Sequence, residues 1–179
     1  MTEHARVYGG SLYDLAVEEN LTDAILEDMT AVKGIFRENP DYLRLLSEPS
    51  IKVSERTDLI EKAFGESAQR YVVSFLKLLC EKGILRDFEG CLSEYVRRYN
   101  ADNGIAEAIV TTALPLDASQ KEALVKKLEA THGKRISLIE KIDAKVVAGV
   151  KVEIEGTELD GTVSGRLNGL SRKLNDIKL

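Results

Sequence analysis

The sequence predicts an α+β protein, with an N-terminal six-helix bundle over residues 1–104 and a small C-terminal α/β domain over residues 105–179. Three observations support this prediction. Through the first hundred residues, apolar residues recur at three- and four-residue steps, and no proline interrupts the longer stripes. After Gly104 the pattern changes to β-branched alternation. A chain of 179 residues with 44% hydrophobic residues is also long enough for one large domain or two small ones.

The first three helices are predicted from apolar stripes and two prolines. The first spans residues 4–19, and its stripe consists of Ala5, Tyr8, Leu12 and Leu15. The second runs from Leu21 to Phe36 and stops before Pro40, because proline disrupts a helix interior. A short third helix fits between Pro40 and Pro49.

Small and flexible residues delimit the next three helices. Ser54 is predicted to cap the fourth helix and Gly65 to close it. The fifth helix spans residues 67–82 and ends at Gly83. The sixth stops within residues 100–104, a plausible domain boundary, and its stripe consists of Phe88, Leu92, Tyr95 and Tyr99.

The second half alternates strands and helices. Residues 105–111 favour a strand, and a helix follows that Asp117 caps and Gly133 stops. A second strand carries Ile136 and Leu138, with a slip in the alternation before Ile139 and Ile142. Apolar and charged residues alternate strictly over 150–155, which predicts a third strand.

A last helix is predicted after the turn at Asp160 and Gly161. Its apolar residues are Val163, Leu167, Leu170, Leu174 and Ile177.

The charge of the chain divides at the same boundary. Residues 1–104 hold 13 Lys and Arg against 19 Asp and Glu, whereas residues 105–179 hold 12 against 11. The net charge of −5 therefore comes from the helical half. An acidic chain argues against binding to nucleic acid, which requires clustered Lys and Arg.

Few residues could support catalysis or metal binding. The only histidines are His4 and His132, and they lie far apart in the sequence. Cys80 and Cys91 are eleven residues apart with no histidine near them, so we expect buried free thiols and neither a zinc site nor a disulfide framework. We predict no catalytic residues and no cofactor.

The sequence also predicts an intracellular protein without direct membrane insertion. The longest apolar run covers only residues 146–150, far short of the roughly 20 residues of a transmembrane helix. The N-terminus has no basic segment followed by an apolar one, as a secretion signal would.

One segment resembles a phosphate-binding loop but lacks its essential residue. Gly156 and Gly161 have the spacing of the two glycines in a Walker A motif, but Thr162 and Val163 replace the Lys and Ser/Thr that must follow. Glu158 would repel a phosphate. We therefore predict a hairpin turn at Gly156 and no nucleotide site.

The fifth helix is more apolar than one stripe requires. Over residues 71–80 (YVVSFLKLLC) the apolar residues cover much of the helix surface. This pattern predicts either the buried centre of the bundle or a helix with both a core face and an outer groove. An outer groove would accept an amphipathic helix of a partner.

Four segments resemble one known family. Residues 4–16 (HARVYGGSLYDLA) are similar to its opening "ARxYAxALFxxA" helix, and residues 81–85 (EKGIL) are similar to its "ENGRL". The strongest likeness lies in residues 141–150 (KIDAKVVAGV) and 159–167 (LDGTVSGRL). The chain resembles the delta subunit of bacterial F-type ATP synthases, the counterpart of the mitochondrial oligomycin-sensitivity-conferring protein.

Three departures from the family pattern are visible. Gly9 and Gly10 replace the usual alanine and polar residue, which should weaken the first helix by about 1 kcal/mol per glycine. Ile84 stands in place of an arginine, and Ala148 in place of a first glycine. None of them alters the predicted architecture.

The resemblance implies a non-catalytic stator subunit at the cytoplasmic face of the cell membrane. In the family, the helical domain binds the N-terminal helix of an alpha subunit and the C-terminal domain binds the peripheral-stalk b subunits. The alpha helix docks against the first and fifth helices of the family. The implied contact residues here are Tyr8, Ser11 and Leu78, with Leu12 and Phe75 as further candidates that could equally belong to the core.

Two other functional hypotheses make predictions that differ from those of the stator. A cytosolic helical adaptor would not co-purify with alpha, beta and b subunits. A nucleotide-dependent enzyme rests only on the incomplete Walker A match, and nucleotide hydrolysis by the isolated chain would reveal it.

Overall fold

The computed structural model describes residues 2–144, 146, 149–154 and 156–160. These residues form seven α-helices, one short 3-10 helix and four strands, and the predicted α+β class is confirmed. The chain separates into two compact units, one ending at Tyr99 and the other beginning at Asn100.

Six helices make up the first unit and lie close to their predicted positions. They are α1 (Glu3–Glu18), α2 (Thr22–Glu38), α3 (Pro40–Leu46), α4 (Val53–Phe64), α5 (Arg70–Glu81) and α6 (Phe88–Asp102), with a 3-10 turn at Leu85–Asp87 before α6. Pro40 is the first residue of α3, where its missing N–H costs no hydrogen bond.

The structure corrects two helix starts. Lys52 occupies the N-cap position of α4 without a side-chain hydrogen bond, and Ser54 lies inside the helix, so the predicted Ser54 cap is wrong. Helix α5 begins at Arg70, three residues later than predicted. The backbone N–H of Gln69 donates to Asp28 of α2 at 2.6 Å, so a residue far away in the sequence satisfies this helix start.

One hydrophobic core connects all six helices. Three fully buried residues, Ile25, Ile60 and Leu76, come from α2, α4 and α5. Aromatic rings join further elements: Phe36 meets Phe88 edge to face at a centroid distance of 5.5 Å, and the ring of Tyr13 in α1 meets that of Tyr95 at 5.1 Å. Burial of this apolar surface is the main stabilising contribution to the unit.

Helices α1 and α6 approach each other through small residues. Gly9 lies against the main chain of Cys91, and a Cβ placed on Gly90 would stand 2.8 Å from the Cβ of Ala5. The absence of a side chain at Gly9 therefore allows the two helices to pack closely, in addition to weakening α1 as a separate element.

The second unit is a four-stranded sheet with one described helix. Strands β1 (Ile105–Thr112), β2 (Arg135–Ile142), β3 (Val150–Ile154) and β4 (Thr157–Asp160) lie in the order β2-β1-β3-β4. Strand β1 pairs parallel to β2 and antiparallel to β3. Helix α7 (Ala118–His132) connects the parallel pair, and Asp117 caps it with Gln120 in a capping box, as predicted for Asp117.

The structure departs from the prediction for this unit at two places, and one prediction cannot be compared. Strand β2 pairs with β1 without interruption from Arg135 to Ile142, so the slip in the apolar alternation before Ile139 is not a break in the strand. Ile139 and Ile142 are instead exposed, at 40% and 59%. Residues 157–160 form strand β4, which the sequence did not predict. The predicted last helix lies outside the described residues.

Candidate partner-binding site

Most apolar residues of helix α5 are buried in the hydrophobic core. Its buried residues are Val72, Val73, Phe75, Leu76, Leu79 and Cys80. Leu78 is the large apolar residue of α5 that stays on the surface, with 37% of its area exposed. The neighbouring Lys77 is held by an ion pair with Glu61 of α4 at 2.6 Å. The excess of apolar residues therefore has two causes, a wide core face and a single exposed leucine.

Helix α1 places its three implied contact residues at different depths. Leu12 is buried with 4% exposure, and Tyr8 is half-buried and packs against the core. Ser11 is exposed, and its hydroxyl donates to the carbonyl of Val7 at 2.9 Å. This bond occupies the Ser11 hydroxyl proton but leaves its oxygen able to accept a hydrogen bond.

The five implied residues thus separate into a surface group and a core group. Ser11 and Leu78 lie on the surface, Tyr8 lies at its edge, and Leu12 and Phe75 belong to the hydrophobic core, one of the two alternatives that the sequence left open. Helix α2 packs against both α1 and α5 and so fixes the two helices in one unit.

Sequence reasoning passed over two exposed apolar residues of α1. Val7 is 53% exposed and Val17 is 47% exposed. Val7 precedes Ser11 by four residues and so shares its face of the helix. Both valines lie off the apolar stripe of α1, and this mismatch was the signal that could have revealed them.

An ion-pair network around one buried carboxylate lies where α6 faces α1. The Glu94 carboxylate, only 1% exposed, accepts hydrogen bonds from Arg97 at 2.7 and 2.8 Å and from Arg98 at 3.0 Å. Arg98 also donates to Asp14 of α1 at 2.8 Å. The bonds from Arg97 lower the pKa of Glu94 to about 2, against the opposing effect of burial and with a further contribution from Arg98. The network therefore joins the two helices through charges at pH 7.

The two thiols are buried, and the two imidazoles contact an acidic side chain or a backbone carbonyl. Cys80 and Cys91 are buried and unpaired, and burial raises the pKa of both thiols, that of Cys91 to about 11. Such thiols are poor nucleophiles. His4 lies 3.8 Å from Asp87, and His132 contacts the carbonyl of Leu128. Among the described residues, no group of three His, Cys, Asp or Glu is placed to hold a metal ion.

The segment that resembled a phosphate-binding loop is part of the sheet. Gly156 has φ 78° and lies in the tight turn between β3 and β4, in agreement with the predicted hairpin turn. Residues 157–160, which would have to be a loop around a phosphate, pair instead with residues 151–154 of β3. No described helix is long and apolar enough to cross a membrane.

A helical unit with exposed apolar side chains on α1 and α5, followed by a small α/β unit, is the architecture of a two-part α+β protein. The model of the family "ATP synthase delta (OSCP) subunit" matches residues 5–174. The chain therefore belongs to the ATP synthase delta (OSCP) subunit family, whose members are non-catalytic structural subunits of the ATP synthase.

Similar proteins support this membership along the whole chain. ATP synthase subunit delta of Clostridium botulinum (strain Langeland) is 32% identical over 169 residues, 94% of each chain. ATP synthase subunit delta of Lachnoclostridium phytofermentans is 30% identical over 98% of this chain and 97% of its own. In fold, the chain is similar to one in the cryo-EM structure of the Toxoplasma gondii mitochondrial ATP synthase hexamer, with a TM-score of 0.72, 18% identity and coverage of 97% and 98% of the two chains.

Proposed function

We propose that this subunit links the top of the catalytic head to the peripheral stalk of an F-type ATP synthase through two separate surfaces. The helical part, residues 1–104, binds the N-terminal helix of an alpha subunit. Residues 105–179 bind the ends of the b subunits. Membership in the delta family supports the stator role, and the exposed Leu78 on an otherwise core-forming helix is the observation that supports the alpha-binding surface.

The alpha-binding surface consists of side chains on α1 and α5. Leu78 supplies apolar area, and Tyr8 supplies a half-buried ring with a polar end. Ser11 offers a hydroxyl oxygen, and Val7 adds a second apolar contact. Spaced apolar residues of this kind suit a helix-in-groove contact. Leu12 and Phe75 support this surface from the core.

The helical part acts as a single six-helix bundle in this proposal. A core that draws buried residues from α1 to α6 gives a rigid support for the docked helix. Rigidity reduces the entropy lost when the partner binds.

The surface for the b subunits lies in the α/β part. Exposed apolar residues there include Leu114, at 76%, and two of the three isoleucines of β2, Ile139 and Ile142. Isolated exposed residues are common, but three large ones in a unit of this size are candidates for a contact. The chain has a net charge of +1 in this part, so it does not repel acidic partners.

The mechanical task explains why two surfaces are required. Torque from the rotor would turn the catalytic head unless a stator holds it, so slow dissociation under load matters more than any chemistry. Two linked contacts make release of one of them reversible, because the other keeps the partners at a high effective concentration. We infer that the protein stays at the cytoplasmic face of the membrane only through these partners.

The alpha-binding surface is tested by measuring how tightly the full chain binds a synthetic peptide of the alpha N-terminal helix. Leu78→Asp places a charge at the centre of the proposed contact, and we expect at least a tenfold loss of affinity. Leu45→Asp is the matched control, because Leu45 of α3 is 39% exposed and lies outside the surface. Equal affinities of the Leu78→Asp variant and the unchanged chain would contradict the assignment.

A further inference from the structure

A cavity of about 210 Å³ opens where α2, α3, the 3-10 turn and α6 meet. Its lining has an apolar part, formed by Phe36, Leu43, Leu85 and Phe88, and a charged part. None of these residues belongs to the α1/α5 surface. The cavity is therefore a separate feature of the helical unit.

The apolar part is rigid. Phe36, Leu85 and Phe88 are at most 7% exposed and belong to the hydrophobic core, and Phe36 and Phe88 meet edge to face. Leu43 is half-buried and packs against the same core. Because these side chains are fixed by their packing, the cavity is preformed for an apolar group.

The charged part has an excess of cations. Lys33, Arg37 and Arg86 line the cavity together with a single carboxylate, Glu89. Lys33 pairs with Glu89 at 2.7 Å. Within the part of the chain that the structure describes, the guanidinium groups of Arg37 and Arg86 make no hydrogen bond or ion pair. Two unpaired guanidinium groups stand out in a region where acidic residues exceed basic ones by 19 to 13.

We propose that this cavity binds an acidic peptide segment of a partner protein, with one apolar side chain in the cavity and carboxylates on Arg37 and Arg86. The cavity is smaller than the roughly 300–1,000 Å³ typical of small-molecule sites, so it suits a single anchoring side chain. Guanidinium groups bind carboxylates through paired hydrogen bonds. An apolar anchor within a charged rim is a common arrangement in protein interfaces. This proposal does not depend on the alpha-binding surface, with which it shares no residue.

The test uses the full chain and two synthetic helical peptides of equal length. Each peptide carries one phenylalanine, flanked one helical turn away on both sides by glutamates in the first peptide and by glutamines in the second. We expect the glutamate peptide to bind roughly fivefold to tenfold more tightly at low ionic strength, as two exposed ion pairs would give. Physiological ionic strength should reduce this ratio, because salt screens exposed charges.

Three variants locate the site. The double variant Arg37→Gln, Arg86→Gln should remove the difference in affinity between the two peptides. Lys62→Gln should preserve this difference, because Lys62 is an exposed cation of α4 outside the cavity. Leu43→Trp fills the cavity and should weaken the binding of both peptides. If the Leu43→Trp variant is unstable, the double arginine variant still tests the proposal. Both arginines are exposed, so their replacement should not disturb the fold.

Three results would overturn the proposal: equal affinity for the two peptides, no binding of either peptide, or an unchanged ratio in the arginine variant. Failure of this proposal can be distinguished from failure of the α1/α5 surface. Leu78→Asp should weaken binding of the alpha peptide but leave binding of the glutamate peptide unchanged.

Discussion

Gly9 of α1 lies directly against the main chain of Cys91 in α6. A Cβ at position 9 would stand 2.9 Å from the Cα and 3.0 Å from the carbonyl carbon of Cys91, closer than real side chains approach main-chain atoms. The two helices therefore touch backbone to backbone, and α1, which carries part of the proposed alpha-binding surface, is held against α6 at this point.

Gly9→Ala should destabilise the helical unit, although alanine is the better helix former. The gain in helix propensity is at most about 1 kcal/mol, whereas forcing the helices apart costs typically 1–3 kcal/mol. Chemical denaturation followed by circular dichroism measures the difference. Gly34→Ala is the matched control: nothing lies within 4 Å of a Cβ at that position of α2, so we expect a gain of about 0.4–1 kcal/mol. A stabilised Gly9→Ala variant would show that the close contact is not a constraint.

Replacement of Glu94 by glutamine should remove a pH-dependent part of the stability. The folded-state pKa of Glu94 is lowered from 4.5 to about 2, so its stabilising contribution is complete above the unfolded-state value and is lost as the pH falls towards 2. We expect Glu94→Gln to lose about 2–3 kcal/mol at pH 7 and to approach the unchanged chain near pH 2. Denaturation midpoints across this pH range give the difference.

Glu89→Gln provides the comparison for Glu94. Glu89 lies on the same helix and pairs with Lys33, but its side chain is 69% exposed, so its loss should cost less than about 1 kcal/mol. An equal loss in both variants, or a Glu94→Gln difference independent of pH, would argue against the role of the ion-pair network around Glu94.

Phe75 and Leu78 should respond differently to truncation, although both lie on α5. Phe75 is 6% exposed, and Phe75→Ala should cost about 3–5 kcal/mol of folding stability. Leu78→Ala should cost about 1 kcal/mol and should mainly weaken peptide binding. Denaturation and peptide titration on the same two variants separate these effects. Similar stability losses would place Leu78 in the core.

The hydroxyl of Tyr95 should contribute less to stability than its ring. The hydroxyl donates to the Thr22 carbonyl at 2.9 Å, and the ring contacts Tyr13. Tyr95→Phe should cost about 1 kcal/mol, because one hydrogen bond is lost. Tyr95→Ala should cost about 3–5 kcal/mol, because the ring is removed from the core. Thermal or urea denaturation distinguishes the two, and an equal cost would mean that the hydrogen bond dominates.

Local patterns predicted the helices and most of the strands well. The stripe from Ile25 to Phe36 and the alternation over 150–154 are set by the geometry of a helix and a strand, which depends only on neighbours in the sequence. The predictions from sequence were wrong or missing where a distant residue sets the boundary of a helix or strand. Asp28 accounts for the start of α5, and pairing with β3 accounts for β4.

The candidate site was predicted only in part, for the same reason. Periodicity predicted the helices that carry Ser11 and Leu78, and the family resemblance implied that these two residues contact a partner. Neither could decide whether Phe75 faces the core or a partner, because the apolar pattern of α5 fits both. The cavity beside Arg37 and Arg86 had no signal in the sequence, since its lining comes from two stretches, residues 33–43 and 85–89, that are distant from each other in the chain.

By itself, the sequence determined the α+β class, the order of the elements described here except the 3-10 turn and β4, and the family. These depend on local periodicity and on segments that can be compared directly. Only the tertiary structure decided that Gly9 is a contact point between two helices, that Leu12 and Phe75 are buried, and that β2 continues through Ile139. Each of these depends on a partner distant in sequence, and the packing energy of such a pair exists only once the chain has folded.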